Sequence, residues 1–273
     1  MKQKKIDPSV IKKIAGIKNL YLVLDYDGTL TPIVSQPSQA KLTSGMRTTL
    51  KILSGMPGIK IAILSGRSLN DVEKLVGLDS FDYVGNHGLE RKIQSVVSLD
   101  PYAVKFREFI SRFTEELKRS LKDIPRVLVE DKTYSLSAHY RNVASKNIAI
   151  ARRIFEKAWE NFSAKIFFRI KPGKKVWEVR PAYGCSDKGG ALGLLSGWVS
   201  KTKRKGLTLV YVGDDVTDED AFKALKKSDF SIRVGYSSRT AARYWLRSPA
   251  EVAVFLKRLI EARERIFPDN AQR

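Results

Sequence analysis

A doubly wound α/β fold, mostly parallel in its sheet and interrupted by a smaller α+β layer, is what this sequence predicts. Three observations carry the prediction. Apolar runs at 20–24, 59–64 and 206–212 show no alternation and read as strands buried on both faces. Segments with helical spacing lie between such runs, which is the strand–crossover–strand rhythm of a parallel sheet. Between about Pro101 and Arg180 the rhythm changes to helix–strand–strand, twice over. That pattern reads as an antiparallel sheet with two helices on one side. The expected division is a core from 1–90 and 179–273, with an inserted unit at 91–178.

In chain order, residues 1–18 form a basic entry segment with a short helix that turns Ile11 and Ile14 inward. The first strand ends in Asp25-Tyr26-Asp27-Gly28-Thr29, and a loop with Pro32 and Pro37 follows. Thr43 caps a helix to about Leu53. The strand at 59–64 stops at Ser65-Gly66-Arg67-Ser68, and Leu69, Val72 and Leu75 mark a helix over 69–76. A short strand at 81–84 leads into Gly85-Asn86-His87-Gly88. A long amphipathic helix is expected over 101–121, with Phe106, Phe109, Ile110, Phe113, Leu117 and Leu121 on one face. A hairpin turns around Lys132-Thr133, and a helix over 146–161 carries Ile150, Ile154, Ala158 and Phe162. Strands at 165–170 and 175–180 flank the turn Lys171-Pro172-Gly173. Asp187 caps a helix that opens with Lys188. After the strand at 206–212 come an acidic loop, a helix at 218–227 and a strand at 230–234. A last helix begins at Ser248-Pro249, with Val252, Phe255, Leu256 and Leu259 in its apolar stripe.

With 273 residues, 43% hydrophobic and 29% charged, the chain has the composition of a folded protein with a large core. The single cysteine, Cys185, excludes an internal disulfide and a multi-cysteine metal site, and suits a reduced, cytoplasmic setting. The basic N-terminus lacks the apolar core of a signal peptide, and no apolar run approaches the roughly 20 residues of a membrane span. The net charge of +21 has two readings, a nucleic-acid footprint or a solvated surface around a site for an anionic small molecule. The excess is scattered, its densest run is 201–205, and no recognition-helix, zinc-finger or RNP pattern is present. The second reading is adopted, with a monomer and no specific nucleic-acid partner.

The chemistry concentrates at strand ends. Asp25 and Asp27 share a face in a strand, so both carboxylates reach one ligand, and together they call for a cation such as Mg2+. Lys188 at a helix start opposes the positive end of the dipole unless an anion is bound there. Asp214, Asp215 and Asp218 form a carboxylate cluster in a strongly basic chain, which again argues for a local cation.

The string D-x-D-G-T, Ser65 at the next strand end, Lys188 and G-D-D-x-x-D resemble the four motifs of the haloacid dehalogenase (HAD) superfamily. The resemblance implies a Rossmann-like core with a C2-type cap. It makes Asp25 the nucleophile, Asp27 the general acid and base, Ser65 a hydroxyl donor to the phosphoryl group, and Lys188 the neutralising cation. Mg2+ is then held by Asp25, the backbone carbonyl of Asp27, and Asp214 or Asp215, with Asp218 behind them. Arg67 either adds charge at the phosphoryl site or is a surface base.

A narrower resemblance lies in DYDGTLTPI, SGRS, VGNHGLE, SAHYRNV, KPGKKVWEVRP, KGGAL and GDDVTDEDAF, which are similar to the trehalose-6-phosphate phosphatase family. It implies hydrolysis of trehalose 6-phosphate, with polar residues of the inserted unit on the disaccharide. Those expected are Glu130, Lys132, Arg141, Lys174 and Glu178, with Asn86 of GNHG beside them; His139 reads as a sheet-packing residue. Alternatives are other sugar phosphates (sucrose 6-phosphate, mannosyl- or glucosyl-3-phosphoglycerate) and a non-enzymatic basic binding module.

Overall fold

The computed structural model describes residues 3–34, 36–201 and 206–268, so the basic run noted at 201–205 falls outside it beyond Lys201. Strand β1 (Lys4–Lys5) precedes helix α1 (Pro8–Ala15), which buries Ile11, Ile14 and Ala15 as its spacing requires. The central strand β2 (Asn19–Leu24) is followed by α2 (Ser44–Gly55), where Thr43 accepts a hydrogen bond from the Met46 amide. Next come β3 (Ile59–Leu64), α3 (Leu69–Val76) and β4 (Asp82–Gly85).

Two further strands, β5 (Glu90–Ile93) and β6 (Val96–Leu99), form an antiparallel hairpin that extends the same sheet. The expected long helix is divided at Phe106 into α4 (Pro101–Lys105) and α5 (Arg107–Leu121), because Phe106 leaves helical geometry at φ −105°, ψ 12°. Strands β7 (Leu128–Asp131) and β8 (Leu136–His139) make the hairpin around Lys132-Thr133. After α6 (Ser145–Asn161) come β9 (Phe168–Gly173) and β10 (Val176–Pro181). Lys171-Pro172-Gly173 is therefore strand, and the turn is Lys174-Lys175. Pro172 is tolerated because β9 is an edge strand. The chain closes with α7 (Lys188–Lys201), β11 (Leu207–Gly213), a shorter α8 than expected (Glu219–Ala224), β12 (Phe230–Val234), β13 (Tyr244–Leu246) and α9 (Pro249–Ile266).

The large sheet has the order β1-β13-β12-β11-β2-β3-β4-β5-β6 and is parallel from β1 through β4. Alternation along β2 feeds two cores. Leu20, Leu22 and Leu24 pack with residues of α1, α2 and α9, while Tyr21 and Val23 pack with Ala191, Leu192 and Phe222 of α7 and α8. The small sheet, β7-β8-β10-β9, is antiparallel and shares a third core with α5 and α6, in which Phe113 stacks on Phe162 at 4.3 Å. Two residues expected inward are exposed instead, Phe109 and Ile150, because Ile110 and Phe113 of α5 and Ala151 and Phe155 of α6 take the inner positions.

The expected limits at 91 and 178 cut through β5 and β10. The chain leaves the large sheet near Asp100 and returns after Pro181. Asp100 ties the two crossings together: it accepts from the Tyr102 and Ala103 amides with one oxygen and from the Cys185 amide with the other.

Candidate active site

Sequential strands run outward from β2 on one side through β3 and β4, and on the other side from β11 to β13. The order reverses between β2 and β11, and the carboxyl ends of strands at such a reversal frame a ligand crevice. Asp25 follows β2 and Asp214 follows β11, so both stand at its floor. Asp25 continues the parity of Tyr21 and Val23, the face on which α7 packs, and this brings Lys188 to it. Gly28 is required here: its φ is +81°, and a Cβ would lie 2.3 Å from an Asp214 oxygen.

Lys188 Nζ donates to Asp25 Oδ1 at 2.7 Å and to Asp218 Oδ1 at 2.6 Å, with all three side chains buried. The conflict between this cation and its helix dipole is thus removed by two carboxylates. Asp218 Oδ1 also accepts from the Tyr211 hydroxyl at 2.5 Å, and its Oδ2 accepts from the Asp214 and Asp215 amides at 2.9 and 2.8 Å. Both Asp218 oxygens are therefore engaged. These bonds tie Asp218 to Lys188, Tyr211 and the Asp214–Asp215 backbone.

Burial, reinforced by Asp218 and Asp214, holds the Asp25 carboxyl well above the usual range although Lys188 opposes the shift. Burial likewise raises Asp214 against the pull of Lys174. For Asp218 burial is outweighed by Lys188 and the hydrogen bonds, and its carboxyl lies below the usual range. Lys188 is held well above its ordinary value because Asp218 and Asp25 outweigh burial.

The fit to a divalent cation follows from these charges. Asp25, Asp214 and Asp218 bring carboxylate oxygens within 4.8 Å of one another. Asp215 adds a buried oxygen, Oδ1, with no hydrogen-bond donor. Hard oxygen ligands in excess over the neighbouring ammonium groups are what Mg2+ takes.

Arg67 is buried, which excludes the surface-base reading. Its guanidinium forks onto Asp27, Nε to Oδ2 at 2.7 Å and Nη2 to Oδ1 at 2.8 Å, and also donates to Asp71 and to the Pro37 carbonyl. It acts on the orientation of Asp27. Ser65, also buried, lines the cleft, and its Oγ accepts from the Arg67 amide at 3.2 Å.

Above this floor the small sheet closes a cleft of about 1100 Å³. Glu130, Lys132, Arg141, Lys174 and Glu178 all line it, as does His139. His139 Nε2 bonds Glu130 Oε2 at 2.9 Å. Lys132 is buried, and it donates to the Gly66 carbonyl at 3.0 Å and to Glu178 Oε1 at 3.4 Å. Glu178 is the hub of the roof, with Ser137 and His87 on Oε1 and Arg180 on Oε2. Burial pushes its carboxyl up, but Arg180, His87 and Lys132 prevail and hold it well below the usual range. His87 is brought down to about 3 by burial and by Arg180, so it is neutral and donates Nε2–H to Glu178.

Asn86 does not line the cleft. It is fully buried, donates to Glu90 Oε2 at 2.9 Å and to the Lys132 carbonyl at 2.7 Å, and accepts from Ser135. It locks the β7–β8 turn onto the core instead of meeting substrate. His87, Arg180, Ser137 and Tyr211 were not singled out from sequence as site residues. His87 stands in GNHG and Arg180 in EVRP, within two of the strings that carry the narrower resemblance, while Ser137 and Tyr211 carry no local signal.

A carboxylate pair at a strand end, a bridging lysine and a second acidic loop, on a doubly wound sheet with an inserted roof, have the architecture of the HAD superfamily. Residues 23–250 match the family model for trehalose-phosphatase. The chain is 35% identical over 278 residues to probable trehalose-phosphate phosphatase 2 of Oryza sativa subsp. japonica, covering 93% of this chain and 71% of that protein. It is 33% identical over 258 residues to trehalose-phosphate phosphatase B of Arabidopsis thaliana, covering 89% and 67%. The fold matches the C-terminal domain of Candida albicans trehalose-6-phosphate phosphatase with a TM-score of 0.80, at 24% identity over 95% of this chain and 99% of that one. The chain belongs to the trehalose-phosphatase family. Among the described residues no helix is long and apolar enough to cross a membrane.

Proposed function

We propose that the chain performs its family's reaction, hydrolysis of trehalose 6-phosphate to trehalose and phosphate, through an aspartyl phosphate on Asp25. An Asp25 oxygen attacks phosphorus, the ester P–O bond breaks, and Asp27 protonates the departing sugar oxygen. Asp27, now a carboxylate, then takes a proton from water as that water attacks the phosphorus of phosphoryl-Asp25 and the P–O bond to Asp25 breaks, which releases phosphate and restores Asp25 as the carboxylate and Asp27 as the acid. The fork from Arg67 fixes the direction in which Asp27 presents its oxygens. Ser65 donates to a phosphoryl oxygen, and Lys188 offsets the charge that builds as two anions approach. Asp25, the Asp27 carbonyl and Asp214 or Asp215 would hold Mg2+, which would further neutralise the phosphoryl oxygens.

Sugar recognition falls to the roof. Glu130, Lys132, Arg141 and Glu178 present charged hydrogen-bonding groups to the cleft, and a sugar lacking a matching hydroxyl leaves one of them unpaired. The net charge of +21 favours encounter with a dianionic substrate. With Cys185 as its single cysteine, the chain suits a reduced cytoplasm, and a monomer is the proposed state.

The observation that carries this reading is Lys188 bridging Asp25 and Asp218 across the reversal between β2 and β11. The test is phosphate release from a panel of sugar phosphates with Mg2+ or with chelator. Trehalose 6-phosphate is expected to give the highest kcat/KM, with turnover lost on chelation. A higher value for sucrose 6-phosphate or for a glycosyl phosphoglycerate would refute the substrate, and full turnover in chelator would refute the metal.

A further inference from the structure

The tip of the β9–β10 hairpin is Lys174-Lys175, with Lys175 at a left-handed φ of 60°. From this tip Lys174 Nζ reaches across to the core and donates to Asp214 Oδ2 at 2.6 Å. The same ammonium lies 3.4 Å from the Asp214 carbonyl oxygen and 3.8 Å from Asp215 Oδ1. Arg141 braces the arrangement by donating to the Lys174 carbonyl at 3.2 Å and to the Val34 carbonyl at 3.0 Å. The sequence suggests a sugar ligand at Lys174. Its ammonium instead stands where the counter-charge of the acidic loop belongs.

We infer that Lys174 is a tethered cation that competes with the divalent metal for Asp214, so that metal occupancy and closure of the β9–β10 hairpin are coupled. The inference rests on the reading of Asp214 as a metal ligand. A carboxylate oxygen in contact with an ammonium at 2.6 Å cannot at the same time coordinate a divalent ion at full strength, and the two cations repel. The two lysines of the site differ in what they do next. Lys188 is 3% exposed and held by two carboxylates, so it has nowhere to go. The Lys174 side chain is 44% exposed and passes into water at small cost. Metal alone thus loosens the hairpin. The phosphoryl group of the substrate then adds the negative charge that lets both cations stay, and closure follows substrate. Because coupling free energy is reciprocal, whatever weakens the Lys174 contact strengthens metal binding.

The experiment is calorimetric titration of Mg2+ into the parent chain and three variants, without sugar phosphate. Lys174→Met is expected to bind Mg2+ roughly five-fold or more tightly than the parent. Lys174→Arg keeps the charge and is expected to stay within about two-fold. Hydrogen exchange at amides 173–176 of the parent is expected to rise when Mg2+ is added. Equal or weaker binding by Lys174→Met overturns the inference, as does tightening by Lys174→Arg as large as that by Lys174→Met, or unchanged exchange. Asp214→Asn separates this from the metal reading itself. If it binds Mg2+ as the parent does, Asp214 is no ligand and both fail. If it loses binding while Lys174→Met is unchanged, the coupling alone fails.

Discussion

Replacing Lys188 by Met tests the charge logic of the floor most directly. The substitution keeps the volume of the stem and removes two charge-assisted hydrogen bonds, 2.7 Å to Asp25 and 2.6 Å to Asp218. Removing one partner of a buried pair costs ~3–5 kcal/mol, because the other charge is left without compensation. The structure places this case at the lower end. Asp218 retains Tyr211 and two backbone amides, whereas Asp25 retains Thr29 Oγ1 at 3.5 Å. Asp25, whose carboxyl already lies well above its ordinary range, meets part of the loss by taking up a proton. A cost of about 3 kcal/mol is expected from urea unfolding in chelator. Mg2+ should then restore more stability to the variant than to the parent, since the site has lost a competing positive charge and a ligand that binds only the native state stabilises it. The variant should also lose about 10²–10³ in kcat. Unfolding within about 1 kcal/mol of the parent, or equal gains from Mg2+, would refute the assignment of Lys188 as the charge that holds Asp25 and Asp218 together.

Four more expectations concern the remaining groups. Asp25→Asn should lower turnover on the order of 10⁴-fold or more with the circular dichroism spectrum intact, and appreciable turnover would remove Asp25 as nucleophile. Asp27→Asn should cost about 10²–10⁴ in kcat with little change in KM, checked by steady-state phosphate release. Glu178, held below its ordinary range, contributes stability that is complete above its unfolded value of roughly 4.3 and is lost as pH falls through the lower folded value. Glu178→Gln should therefore lose stability less steeply than the parent between pH 6 and pH 3, followed by the urea midpoint. Glu178→Ala should raise KM for trehalose 6-phosphate roughly ten-fold while leaving a small aryl phosphate almost unchanged.

How much of this could be seen in the sequence follows from burial. Strand β2 stands out because it is apolar on both faces, and the parity that puts Tyr21 and Val23 against α7 also aims Asp25 at Lys188. Lys188 itself is legible as a cation at the wrong end of a helix. The hairpin β5–β6 is not legible, since Glu90-Arg91-Lys92 is polar and Val96 and Val97 are exposed at the sheet edge. Strand β13 has three residues, too few for a period. The division of α4 from α5 lies in the backbone of Phe106, whose side chain still meets the helical spacing. The displaced turn at Lys174 has a different cause. Lys-Pro-Gly is a good turn string, but an edge strand asks nothing of the proline nitrogen, so pairing to Val176 and Trp177 runs through it.

That displacement matters for function. With the turn at 171–173 and the next strand at 175–180, Lys174 would lie past the turn, just ahead of the strand, and not at the hairpin tip. With the turn at 174–175, Lys174 is the tip itself and extends to Asp214. Asn86 shows the same principle from the other side. As a polar residue in a loop between strand and roof it has the marks of a ligand, yet its amide is consumed by Glu90, Lys132 and Ser135. Chemistry of the floor is carried by residues whose strands are fixed by burial, so sequence pattern reaches it. Closure of the roof is carried by polar residues on turns, where a shift of one or two positions changes the partner. Specificity and gating therefore depend on register in the small sheet. Lengthening the β9–β10 loop by one residue would leave Asp25, Lys188 and Asp218 untouched while moving Lys174 off Asp214, which separates catalysis from closure in a single change.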